Sequence, residues 1–200
     1  MVVMNSYLSF QTETERLRIR AWNLEDSESA FKMYGDPEVA RYLTGTPEFS
    51  LESQRENLEK IIAAYSKLDK GMGSFPIVLK DTDELVGAVL LKPLPRTEDL
   101  EAWRTFRDEP ESVPPIHEIE IGWHLTRSAW GYGYATEAAT ALMEYGFQNL
   151  HLPEIHAVLY KENTKSWDIT RRLGMDHIGS TDRFYGVTVE HFVKPKGQAT

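Results

Sequence analysis

The chain contains no cysteine, which removes disulfide frameworks, thiolate metal sites and a thiol nucleophile together. Packing alone must hold the fold. Nowhere do about 18 apolar residues run consecutively, so no segment reads as a membrane-spanning helix. The start, Met1–Phe10, lacks the basic residues of a secretion signal. A cytoplasmic protein with no membrane partner is the expectation. No glycine-rich turn is followed by Gly-Lys-Ser or Gly-Lys-Thr, so the Walker phosphate loop is missing. The six histidines include no His-Glu-x-x-His pair, and no metal is expected. Basic residues are the minority, 22 against 31 acidic, for a formal net charge of -9. That balance argues against a nucleic-acid partner, which needs clustered lysine and arginine, and mildly favours a cationic substrate.

With 41% hydrophobic and 26% charged residues, usage is that of an ordinary globular protein, and 200 residues suit one domain with a sizeable core. Residues 1–200 are therefore read as a single domain. A strand is predicted over Arg16–Ala21 and a helix over Glu25–Tyr34. Ser50 caps a long helix that runs to about Leu68. Phe75–Lys80 and Leu85–Lys92 form a hairpin around Asp81–Glu84. Residues 93–115 read as an irregular insertion, longer than loops usually are without a function. A strand over Ile116–Leu125 is followed by a helix whose Ala135, Ala138, Ala139, Leu142, Met143 and Phe147 share one face. Then come a strand at Ile155–Tyr160, a helix at Thr164–Leu173 closed by Gly174, and a final hairpin over Thr181–Val193 through Tyr185-Gly186.

The most informative stretch is Trp130-Gly131-Tyr132-Gly133-Tyr134-Ala135-Thr136, where small residues alternate and then open into the alanine-rich helix. Gly131 and Gly133 can adopt backbone angles closed to other residues and carry no side chain to block an anion. Together with the unpaired amides and dipole of the helix start, they form a cradle for a diphosphate that needs no lysine. The dinucleotide fingerprint wants a third glycine where Thr136 stands. A tight turn ahead of a buried helix is the alternative reading.

These residues resemble the GNAT superfamily of N-acetyltransferases, in particular the branch that includes ribosomal-protein N-terminal acetyltransferases. The family's diphosphate motif matches Trp130–Ala135, and its second element matches Asn163, Ser166 and Leu173-Gly174-Met175. Thr14–Arg20 and Asp36–Leu43 resemble the same branch, so the likeness covers nearly the whole chain in order. It implies an α/β (α+β) fold, with a mixed, largely antiparallel sheet flanked by helices and split into a V. It also implies acetyl-CoA as cosubstrate, bound by Trp130, Gly131, Tyr132, Gly133, Tyr134, Ala135 and Thr136, with Asn163 along the pantetheine arm. The strand end Trp123, His124 and Leu125 is counted with that site.

Direct acetyl transfer to a primary amine requires a neutral amine, a proton acceptor, a donor for the oxyanion and a leaving group. An α-amine of pKa about 7.7–8.0 is about one-tenth neutral at pH 7, against roughly one part in a few thousand for lysine. Glu120 is the first candidate base. It shares the polar face of its strand with Glu118 and His124, and two like charges so close raise one pKa towards neutrality. A solvated strand face is the alternative for either glutamate. The oxyanion donor is expected from a main-chain amide freed by a bulge at Gly122. Many family members carry a tyrosine acid where this chain has Thr170, which leaves Ser166 as the nearer partner for the sulfur. The acceptor, a peptide N-terminus or a small molecule, is not identified by sequence, and a homodimer stays open. A non-catalytic acyl-CoA-binding module is the competing function.

Overall fold

The computed structural model describes residues 7–43, 50–68 and 71–197, so part of the apolar start Met1–Phe10 lies outside the described residues. Eight strands form one sheet in the order β1-β2-β3-β4-β5-β6-β8-β7. In chain order they are β1 (Gln11–Glu13), β2 (Leu17–Arg20), β3 (Gly73–Leu79), β4 (Leu85–Leu94), β5 (Glu118–Leu125), β6 (Glu154–Leu159), β7 (Asp176–Thr181) and β8 (Val189–Pro195). Every adjacent pair is antiparallel except β5 and β6. Those two run parallel and share a single paired position, Glu120 with His156. A parallel pair needs a crossover, and α5 (Tyr134–Gln148) supplies it.

The helices follow their sequence signals. In α3 (Leu51–Lys67) the Ser50 side chain accepts from Ser53 N and Ser53 returns the bond, a reciprocal cap. The segment Glu25–Tyr34 is helical, but it opens with a tight turn at Leu24–Asp26 before α1 (Ser27–Tyr34). α2 (Pro37–Ala40) starts on the Asp36 cap, and α6 (Thr164–Arg172) on the Asn163 cap. The face of α5 formed by Ala135, Ala138, Ala139, Leu142 and Met143 is buried against the sheet, where Leu91, Ile121, Ile155 and Ala157 meet it in one core. Each large apolar side chain buried there contributes about 1.5–3 kcal/mol.

Three elements differ from the sequence expectation. β1 is too short to show a pattern and pairs only through β2. The segment 93–115 is not irregular throughout, because it holds α4 (Leu100–Asp108). Trp103 and Phe106, three residues apart, pack that helix on Ala64 of α3 and on Leu68, which caps it. The last hairpin begins earlier than Thr181, since β7 spans Asp176–Thr181 and most of 182–188 is a broad loop. Its residues are largely exposed and polar, so they carry no alternation to read.

The register between β4 and β5 is continuous from Gly87–Leu125 to Leu94–Glu118, so there is no bulge at Gly122. Glycine is needed there for space instead, as a Cβ on Gly122 would lie 2.4 Å from Leu90 Cδ1. A Cβ on Gly87 would lie 2.5 Å from the His124 carbonyl oxygen. A methyl group can turn aside, whereas backbone cannot. Gly87→Ala should therefore cost about 1–3 kcal/mol in urea unfolding and Gly122→Ala less than about 1 kcal/mol; equal losses would contradict this packing.

His156, at the point where β5 and β6 meet, stands 2.9 Å (Nδ1 to Nε2) from His191 of β8. Burial pushes both imidazoles below their ordinary range, and the His156 charge adds to this for His191, which falls to about 4. Between pH 6.5 and 4 the unfolded chain takes up protons that the folded pair refuses. Stability should thus decline as pH drops through that window, and His191→Gln should flatten the decline in pH-dependent unfolding measurements.

Candidate functional site

Beyond the Glu120–His156 pair the two strands part, and residues 120–125 of β5 face 157–159 of β6 and Tyr160 just after it across a cleft of about 1710 Å³. The start of α5 forms one wall. Gly131 (φ 88°) and Gly133 (φ 84°) both adopt the left-handed region, where glycine carries no steric penalty. No side chain caps α5, and its first turn closes with Glu137 N bonding Gly133 O at 3.1 Å. The amides of 134–136 therefore have no acceptor within the helix. Among the described residues, Thr136 Oγ1 is buried with no hydrogen-bond partner, and a Cβ placed on Gly131 meets nothing within 4 Å. Open backbone donors, an idle hydroxyl and a helix dipole fit the diphosphate of acetyl-CoA.

Side chains fix this turn from three directions. Trp130 Nε1 donates to Leu125 O at 3.1 Å, and Lys165 Nζ sits 3.8 Å from the centre of the Trp130 ring. Arg16, just ahead of β2, donates to Tyr132 O at 3.0 Å and pairs with Glu137 at 2.6 Å. Thr14 Oγ1 bonds the same carboxylate. Arg16 and Glu137 escaped the sequence reading; their signal was the Thr14–Arg20 resemblance, which named no role. Trp123, His124, Leu125, Trp130, Gly131, Tyr132, Gly133, Ala135, Thr136, Asn163 and Ser166 all line the cleft. Tyr134 does not; its ring stacks on Tyr132 and lies under Arg16, so only its main chain belongs to the turn.

The two β5 glutamates are separated. Glu118 does not line the cleft. Arg96 holds it through two bonds of 3.0 and 2.8 Å, and Arg183 adds a third at 2.6 Å. Burial alone would raise its pKa, but the hydrogen bonds from Arg96 and the charge of Arg183 leave it below the usual carboxylate range. Glu118 is thus held by two arginines away from the cleft, and its pKa is lowered instead of being raised by a like-charge neighbour. Glu120 is 6% exposed and opens onto the cleft. Its Oε2 accepts from Tyr185 OH at 2.5 Å and faces Lys92 Nζ at 3.1 Å. Lys92, opposite Glu120 in the β4 register, also donates to Tyr185 OH at 2.6 Å. No partner for Glu120 Oε1 occurs among the described residues.

Nearby, the His124 imidazole bonds Tyr34 OH through Nδ1 at 3.3 Å, and burial, with Lys92 second, pushes it down to about 4. It is neutral at pH 7. On the far wall, Asn163 Oδ1 accepts from Ser166 N at 3.3 Å. Trp123 Nε1 donates to Ser166 Oγ at 3.3 Å, which leaves the serine proton free to be given elsewhere. Thr170 is fully buried and bonds Trp167 O at 2.9 Å, so that position contributes packing alone.

Comparison with known proteins agrees with this geometry. Residues 16–176 match the model of the acetyltransferase (GNAT) domain. The uncharacterized N-acetyltransferase p20 of Bacillus licheniformis is 34% identical over 166 residues, covering 83% of this chain and 82% of that protein. A GNAT-family acetyltransferase from Bacillus anthracis superposes with a TM-score of 0.71 at 23% identity, over 94% of this chain and 100% of its own. RimL, a ribosomal L7/L12 α-N-protein acetyltransferase solved with coenzyme A, shares the fold with a TM-score of 0.68 at 15% identity, over 91% of this chain and 95% of that one. The match over residues 16–176 and the 34% identity over 83% of the chain place the protein in the GNAT family, as an acetyl-CoA-dependent acyltransferase.

Proposed function

We propose that the protein transfers the acetyl group of acetyl-CoA directly to a primary amine of low basicity, a protein N-terminal α-amine or a small-molecule amine, in a ternary complex. The observation that carries this reading is the buried Glu120, which lines the cleft and whose Oε1 has no partner among the described residues while Oε2 is held. Acetyl-CoA supplies the activated thioester carbonyl. The cradle from Gly131 to Thr136 holds its diphosphate, and Asn163 and Ser166 lie along the arm. The carbonyl oxygen is received by a main-chain donor on the edge of β5 that the strand split uncovers, in place of the bulge expected at Gly122.

As the amine nitrogen bonds the carbonyl carbon and the C–S bond breaks, the nitrogen's proton passes to Glu120 Oε1, directly or through one water. The sulfur leaves as thiolate, tolerable for a group of pKa about 8.5, with the Ser166 hydroxyl placed to donate. A chain without cysteine offers no thiol for an acyl-enzyme. An α-amine, about one-tenth neutral at pH 7, suits an unaided carboxylate far better than lysine does.

Incubation with acetyl-CoA and a panel of peptides, polyamines and amino sugars, read by release of free thiol, tests the activity; release independent of any amine would refute it. Glu120→Gln should lower kcat about 10²- to 10⁴-fold with acetyl-CoA affinity unchanged, and an unaltered kcat removes Glu120 from the proton-accepting role. At the cradle, Gly131→Asp should weaken acetyl-CoA binding at least about tenfold more than the isosteric Gly131→Asn, equivalent to about 1.4 kcal/mol of charge repulsion. Calorimetric titration checks this, and equal affinities would move the diphosphate elsewhere.

A further inference from the structure

We infer that Tyr185 and Lys92 are positioning residues for acetyl transfer, clamping one oxygen of Glu120 so that the other is presented to the amine. This rests on Glu120 as proton acceptor. Both donors meet the same atom, Oε2, Lys92 from β4 and Tyr185 from the loop between β7 and β8, and Lys92 also donates to the Tyr185 hydroxyl. A carboxylate gripped at one oxygen cannot rotate to offer either atom at random. Its free lone pairs then have one direction, into the cleft.

The loop that delivers Tyr185 is built at a cost. Tyr185 has φ 58°, a conformation uncommon for a bulky residue that persists only where the surroundings over-determine it. They do so here. Tyr185 N bonds Pro95 O, Thr97 N bonds Arg183 O at 2.7 Å, and Gly186 N bonds Thr97 Oγ1 at 3.2 Å. Phe184 is fully buried, and Arg183 is pinned by Glu118. Glu118 thus has a role away from the chemistry, anchoring the loop that sets Glu120. Burial, with the Glu120 charge second, holds the Tyr185 phenol above its ordinary range, so it stays a donor. Burial would lower Lys92, but Tyr185 and Glu120 outweigh it and keep the ammonium charged.

The experiment is a double-mutant cycle. Tyr185→Phe should lower kcat about 10- to 100-fold while leaving acetyl-CoA affinity unchanged. In the Glu120→Gln background the same change should alter kcat less than about twofold, because residues that act as a unit are not additive. Lys92→Gln should reproduce the pattern, and is the measurement to use if Tyr185→Phe does not fold. Equal losses in both backgrounds, or no loss in either, overturn the clamp while Glu120 keeps its role. A silent Glu120→Gln overturns the proton acceptor itself, and the clamp with it.

Discussion

The parting of β5 from β6 after one paired position is the constraint on which the site depends. Sheet strands normally consume each other's main-chain donors. Where two of them diverge, the inner edge of each is left to something else, and here that something is a cleft of ligand size. The same topology places the cradle. A parallel pair must be joined by a crossover, the crossover helix has to begin where β5 ends, and its unpaired amides accordingly open at the mouth of the cleft. Gly131 and Gly133 allow the chain to turn sharply enough to do this. Arg16 and Glu137 then tie the turn to the far half of the sheet.

Much of this was legible along the chain. Strict alternation over β5 and helical spacing over α5 are local patterns, and the glycine turn between them is a local motif; all three survive contact with the structure. The surroundings of the glutamates were not legible, because their partners come from elsewhere in the chain. Arg96 and Arg183 reach Glu118 from 22 and 65 residues away, and Tyr185 reaches Glu120 from 65. From sequence, Glu118 and Glu120 see only each other, and repulsion is the natural reading. In the fold each has cationic partners of its own. α4 was hidden for a different reason: its buried face amounts to little more than Trp103 and Phe106, too few residues to establish a period between flanking prolines.

The Glu120–Lys92 pair is poorly explained by stability. A buried ion pair rarely outweighs its desolvation, and apolar substitutes of similar volume are often neutral or better. Removing one partner, however, leaves an uncompensated buried charge that costs roughly 3–5 kcal/mol. Once a carboxylate is required at the root of the cleft, a compensating cation on the adjacent strand follows almost by necessity, and Lys92 stands directly opposite in register. The requirement therefore runs from chemistry to charge, and from charge to the identity of residue 92.

Tyr185 completes that logic from the loop between β7 and β8. A lysine alone would balance the charge without fixing the carboxylate, since an ammonium is a compact charge with rotatable donors. A phenol on a locked backbone adds direction. Locking it consumes Arg183, Thr97, the buried Phe184 and, through Arg183, Glu118. Residues far apart in the chain, and outside the diphosphate cradle, thus converge on the orientation of a single oxygen atom. The glycine turn lies in one contiguous stretch of sequence, whereas the surroundings of Glu120 are assembled from separate ones, which is why the first could be read directly and the second only in three dimensions.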